Sequence, residues 1–204
     1  DLKAFVLLQA LCKIEQNELI AHLFRTEFSK ITAVLCKRFG IQKIEIAEDI
    51  ASDTFLLAVD SWTFKGIPAN PVAWLYTVAK NKAKNYFQRD QIFKKKIAAQ
   101  LIHSSDMNDE IEIDLSDKNI SDSQLQMLFA ICQPSLSTES QIALSLRILC
   151  GFGIDEIANA FLTNRETINK RLFRAKEKLR TENSAFEFPS NTEVEKRLRT
   201  VLIT

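Results

Sequence analysis

An all-α fold of two small helical domains joined by an acidic, flexible linker is what this 204-residue sequence predicts. Three observations carry that expectation. Apolar residues recur at three- and four-residue steps along most of the chain, and no segment alternates as a half-buried strand does. The stretch around residues 100–121, "QLIHSSDMNDEIEIDLSDKNI", is rich in Ser, Asp and Asn with only isolated apolar residues, the composition of a connector. Helices are expected near 3–15, 17–38, 44–62, 71–93, 122–132, 138–150, 154–161 and 164–180. The chain then divides into a helical lead (1–18), a first domain (19–99), the linker (100–121), a second domain (122–181) and a tail (182–204).

The first helices hold no chemistry that periodicity can single out. "DLKAFVLLQALCKIE" has an apolar patch but neither a basic leader nor a small-residue cleavage site, so it does not read as a signal peptide. The lack of an initial Met suggests that the true start lies upstream. No apolar run approaches the ~20 residues that span a bilayer. Cys12, Cys36, Cys132 and Cys150 form no CxxC pair and read as small buried hydrophobes of a reducing cytoplasm. With only His22 and His103 besides, no metal site is expected. Neither histidine belongs to a nucleophile–base constellation, so no catalytic residue is expected. Four glycines and no phosphate-binding loop leave a nucleotide cofactor without support.

Net charge is +1, but it averages over strongly segregated blocks. Lys80–Lys96 holds seven basic residues and one acid, Ser104–Ser123 seven acids and one lysine, and Arg165–Arg180 seven basic residues and two acids. Such alternation fits a chain that meets several differently charged surfaces.

In "IEIAEDIASDTFLLAVDSW", Ala47, Ile50, Ala51, Thr54, Phe55, Ala58 and Trp62 make a buried stripe. Glu48, Asp49 and Asp53 occupy the other side with Leu56 among them, either a solvated face with one stray leucine or a docking face with an apolar anchor. In "PVAWLYTVAKNKAKNYFQRD", Asn70 is the expected N-cap and Pro71 the first helical residue. Thr77, Lys80, Asn81, Lys84, Asn85 and Gln88 then form one polar row opposite Leu75, Ala79 and Ala83. Lysines neutralise phosphates, amides both donate to and accept from base edges, and a flanking aromatic, Trp74 or Phe87, could stack an unpaired base.

The most specific stretch is "GIDEIANAFLTNRETINKRLFRAKEKL". A short helix (Ile154, Ile157, Ala158, Phe161) leads through a tight turn to a second helix with the stripe Ile168, Leu172, Ala175 and Leu179. Thr163 with Glu166 reads as the capping box of that second helix. Arg165, Thr167, Asn169, Lys170, Arg171 and Arg174 are left for its exposed side and margins. This is a helix-turn-helix, with basic residues on the helix that enters the major groove.

In this order the blocks resemble a bacterial RNA polymerase sigma factor of the extracytoplasmic-function (ECF) type, over roughly Leu19 to Arg180. "AEDIASDTFLLAVDSW" resembles the helix that grips the β′ clamp helices of core polymerase, which implies contacts by Glu48, Asp49, Asp53 and Leu56. "PVAWLYTVAKNKAKNYFQRD" resembles the segment that melts and reads the −10 element. The resemblance puts Asn81 on a flipped base and Lys80, Lys84, Asn85 and Arg89 on phosphates. "DSQLQMLFAICQPSLSTESQIALSLRILCGFGIDEIANAF" followed by "LTNRETINKRLFRAKEKLR" resembles region four, which reads the −35 element and contacts the β flap. The acidic linker is then expected to thread polymerase channels built for RNA. "FEFPSNTEVEKRLRTVLIT" is similar to the start of a long regulatory extension carried by one subgroup, which here is cut short or lost, so an anti-sigma protein or a DNA-targeting effector could act in trans. What the resemblance implies is a non-enzymatic cytoplasmic initiation factor. A stand-alone helix-turn-helix regulator is the alternative, and it leaves the acidic helix and the Asn/Lys row without a role.

Overall fold

The computed structural model describes residues 2–98 and 112–182 together with Val194 and Arg197; side chains are described from Glu15 to Ile92 and from Glu112 onward within those ranges. Among the described residues there are seven α-helices and no strand: α1 (Leu2–Phe39), α2 (Ile44–Lys65), α3 (Pro71–Ala98), α4 (Asp117–Ile131), α5 (Thr138–Ile148), α6 (Ile154–Ala160) and α7 (Arg165–Thr181). The all-helical expectation holds. His103 and most of the linker lie outside the described residues.

Two expected helices are one. α1 runs through position 16 unbroken, because no Gly or Pro interrupts "KIEQNELI" and Gln16 is buried, its amide donating to Thr63 Oγ1 at 3.4 Å. The helix stops at Gly40, whose φ of 88° suits a residue without Cβ and whose N–H donates to the Cys36 carbonyl at 2.8 Å. α2 ends in the same way, Gly66 donating to the Trp62 carbonyl at 3.0 Å. At the start of α3, Asn70 Oδ1 accepts from the Ala73 N–H at 3.0 Å, the cap the sequence predicts.

α1, α2 and α3 form the first unit. Every member of the predicted α2 stripe is buried, and Phe55 meets Phe24 of α1 edge-on with centroids 5.1 Å apart. Trp62 and Trp74 meet edge-to-face at 5.4 Å, and Leu75, Ala79 and Ala83 close α3 onto the unit. Tyr76 Oη donates to Glu27 Oε2 at 2.6 Å, and Lys30 lies 2.8 Å from the other carboxylate oxygen, so this buried acid is satisfied by two helices.

α5, α6 and α7 pack around Leu144, Ile148, Ile157, Ile168, Leu172 and Leu179. The turn from α4 into α5 is fixed by the Gln141 amide, which donates to the Gln133 and Leu136 carbonyls at 2.9 and 2.8 Å. α4 begins inside the stretch read as linker, and Ile113 and Leu115 just before it are buried, so the last residues of that stretch are folded. α4 packs along α1, with Gln124 donating to Ser29 Oγ at 3.2 Å and Lys37 to Asn119 Oδ1 at 2.7 Å. The buried apolar core is continuous from α1 to α7.

Candidate nucleic-acid and docking interfaces

The polar row of α3 is on the surface. Thr77, Asn81, Lys84, Asn85, Gln88 and Arg89 are exposed and Lys80 is half-buried, opposite the buried Leu75, Ala79 and Ala83. Asp114, just before α4, has its carboxyl held below the usual range. The Ser116 N–H and hydroxyl donate to it, and Lys80 and Lys37 add attraction. The flanking aromatics are occupied within the protein. Phe87 packs on Phe39 at 4.7 Å under the Arg38 guanidinium, and Trp74 packs on Trp62.

On α2 the expected docking residues part company. Asp49 is exposed, Leu56 is 62% exposed, and Asp53 is exposed with Lys82 of α3 3.4 Å away. Glu48 is not on that face. It is 8% exposed and its Oε2 lies 2.5 Å from Lys176 Nζ of α7. The helical projection places Glu48 at the margin of the buried stripe, and α7 covers that margin. Sequence reasoning also missed apolar neighbours of Leu56. Leu57 and Val59 are exposed, and Phe64, beyond the expected helix end at 62, is 89% exposed. The signal that could have found Phe64 is Gly66, the stop that lets α2 run to Lys65.

The helix-turn-helix is formed by α6 and α7. Its turn places Leu162 at φ 50° with 96% of its surface exposed, and the Thr163 N–H donates to the Ala158 carbonyl at 2.9 Å. The cap of α7 is not Thr163. Asn164 Oδ1 accepts the Thr167 N–H at 2.8 Å, one residue later than the capping box predicts, so Glu166 occupies the second rather than the third helical position. That leaves Glu166 to pair with Lys170 at 2.7 Å.

Arg165, Asn169, Lys170 and Arg174 are exposed, and Thr167 is half-buried. Arg165 reaches Asp155 at 3.4 Å, while Glu177 is paired with Arg180, so both acids of α7 are neutralised on the helix itself. Arg171 is tucked against Phe161, its guanidinium 5.1 Å from the ring centroid, and is half-buried. A large apolar residue stands where none is expected: Phe173, 63% exposed, follows Arg165 and Asn169 at four-residue steps on the outward face.

No metal-ligating cluster of three or more His, Cys, Asp or Glu occurs among the described residues. No described helix is long and apolar enough to cross a membrane.

A helical protein with a basic helix-turn-helix in one unit and an amide-and-lysine helix in the other has the surface features of a multi-site DNA-binding transcription protein. Comparison with known families makes this specific. Residues 23–92 match Sigma-70 region 2 and residues 133–179 match Sigma-70, region 4, together more than half of the chain. Over 133 residues it is 28% identical to the ECF RNA polymerase sigma-E factor of Haemophilus influenzae, covering 63% of this chain and 70% of that one. It is 30% identical over 164 residues to an uncharacterised protein of Rhizobium meliloti, covering 78% of this chain but only 38% of that longer protein. The chain belongs to the ECF-type sigma factors, proteins of transcription initiation.

Proposed function

We propose that this chain binds core RNA polymerase through the exposed side of α2, opens and reads the −10 element with α3, and reads the −35 element with α7. It acts in the cytoplasm without catalytic activity of its own. The observation that carries the reading is the surface row of Asn81, Lys84, Asn85, Gln88 and Arg89, backed by a fully buried opposite face. Amides at its centre suit a base drawn out of the stack, and the lysines and Arg89 suit the flanking phosphates. With Phe87 and Trp74 engaged inside the protein, hydrogen bonding rather than stacking carries base recognition on α3.

For docking, Asp49 and Asp53 supply attraction for a basic partner, and Leu56, Leu57, Val59 and Phe64 supply an apolar centre that partner can desolvate. On α7, Arg165, Asn169, Lys170, Arg174 and the half-buried Thr167 face DNA, and Arg171 acts by bracing the helix against Phe161. Phe173 is assigned to a thymine methyl group in the −35 element, the apolar feature of the major groove.

The test is binding of the purified chain to core polymerase, followed by promoter opening. Leu56→Asp should abolish binding with the helical circular dichroism unchanged. Asn81→Ala should slow promoter opening more than recruitment. Equal losses in both steps, or undiminished binding by Leu56→Asp, would refute the corresponding assignment.

A further inference from the structure

We propose that a cleft between α1, α2 and the turn joining α5 to α6 is a binding site for a medium-chain aliphatic carboxylate, whose presence competes with polymerase for α2. The cleft encloses about 580 Å³, inside the ~300–1,000 Å³ span of small-molecule sites. Only the competition rests on the docking assignment above.

Helix packing gives the cleft a direction. Gln16 meets Thr63 and Phe24 meets Phe55, so α1 and α2 run antiparallel. Ile20 and Val59 therefore stand toward one end, and Arg25 and Ser52 toward the other. Between them the lining is apolar, with Phe24, Phe55 and Leu56 completing it. From Asn17 to Arg25 the α1 wall is about 12 Å long, at ~1.5 Å of rise per residue. That length takes an extended alkyl chain. A compact polyhydroxylated molecule would bury hydroxyls against these side chains without partners.

Charge marks the head-group end. Arg25, Arg147 and Glu156 line it, two cations against one acid. The acid is already engaged: Glu156 Oε2 accepts the Gly153 N–H at 2.6 Å, and Oε1 lies 3.4 Å from Arg25 Nη2. Arg147 gives one N–H to the Phe152 carbonyl at 3.0 Å, and a guanidinium fork carries further donors. Gly151 is buried at φ 70°, and a side chain there would touch the Arg25 backbone at 3.5 Å, so the α5–α6 turn lies directly on α1. A ligand carboxylate at this end gains charge-assisted bonds shorter than the 3.4 Å contact that Arg25 makes with Glu156. A cationic head group meets net positive charge instead. Leu56 and Val59 belong both to the cleft and to the apolar centre assigned to polymerase, so the two occupants exclude one another.

The probe is decanoate, titrated into the full chain below its micelle-forming concentration and followed by calorimetry, with decanol and decyltrimethylammonium as comparators. Decanoate should bind one to one, roughly tenfold or more tightly than either comparator. Arg25→Gln should weaken it by about tenfold, and Ala21→Trp, which fills the cleft from its α1 wall, should abolish it. Decanoate should also lower the affinity of the parent chain for core polymerase and leave that of Ala21→Trp unchanged. If Ala21→Trp loses its helical signal, Arg25→Gln takes its place. No saturable binding, or equal uptake of all three amphiphiles, overturns the site. Saturable binding with polymerase affinity unmoved overturns the competition. A parent chain that never binds polymerase refutes the docking assignment and the competition with it, while calorimetry still decides the site.

Discussion

Phe173 gives the sharpest test of the recognition face. With 63% of its surface exposed, on the order of 125 Å² of a ~200 Å² side chain is available to a partner. Truncation to alanine should cost the fold little, because the buried stripe of α7 is Ile168, Leu172, Ala175 and Leu179 on another face. Covering one thymine methyl group is worth about 0.8 kcal/mol, a factor of roughly four in affinity. The assay is a scan in which each thymine of the −35 element is replaced by deoxyuridine, which differs only in lacking that methyl. The parent holoenzyme should lose roughly fourfold at a single position, and the Phe173→Ala holoenzyme should lose nothing further there. An identical deoxyuridine penalty in both proteins, or none in either, refutes the methyl contact even if the variant binds DNA less well.

Three further outcomes follow from the fold. Tyr76→Phe removes the bond to the buried Glu27, so it should cost ~1.5–3 kcal/mol in chemical denaturation. Burial, then the bond to Glu27, pushes the Tyr76 hydroxyl well above its usual pKa of 10.0. The folded state therefore keeps a proton that the unfolded chain releases. Its contribution is complete below pH 10 and falls as pH rises beyond, a slope that Tyr76→Phe should reduce. Leu162→Gly should stabilise by ~0.5–1 kcal/mol, since the exposed leucine holds a φ of 50° that glycine adopts freely; an unchanged or lower melting temperature would contradict this. Asn164→Ala should cost ~1 kcal/mol, lowering the melting temperature by about 2–4 °C, while Thr163→Ala costs less.

Periodicity made much of this molecule legible. The stripes of α2 and α7 and the polar row of α3 are properties of single helices, and burial follows them residue by residue. The misreadings arise where another element decides the outcome. Glu48 is enclosed by a lysine 128 positions away, which no helical projection can include. The break expected near residue 16 is absent because packing against Thr63 supports a continuous α1. The cap of α7 lay between two adjacent residues able to serve, Thr163 and Asn164, and turn geometry selected the second. Phe64 and Phe173 escape the helical pattern for a different reason. Periodicity ranks residues by how well they fit a core, so apolar residues outside the stripe attract no notice until their exposure is measured.

Cys36 is fully buried in α1, beside both Glu48 and Lys176, and its surroundings push the thiol's pKa well above the ordinary value, burial first and Glu48 second. A thiol so placed is protected twice, by lack of access and by scarcity of the reactive thiolate. Cys132 is likewise buried, whereas Cys150 is exposed. Alkylation followed residue by residue in mass spectrometry thus turns the cysteines into internal clocks. Cys150 sets the rate of an accessible site, and the lag of Cys36 behind it records how seldom the junction of α1, α2 and α7 comes apart.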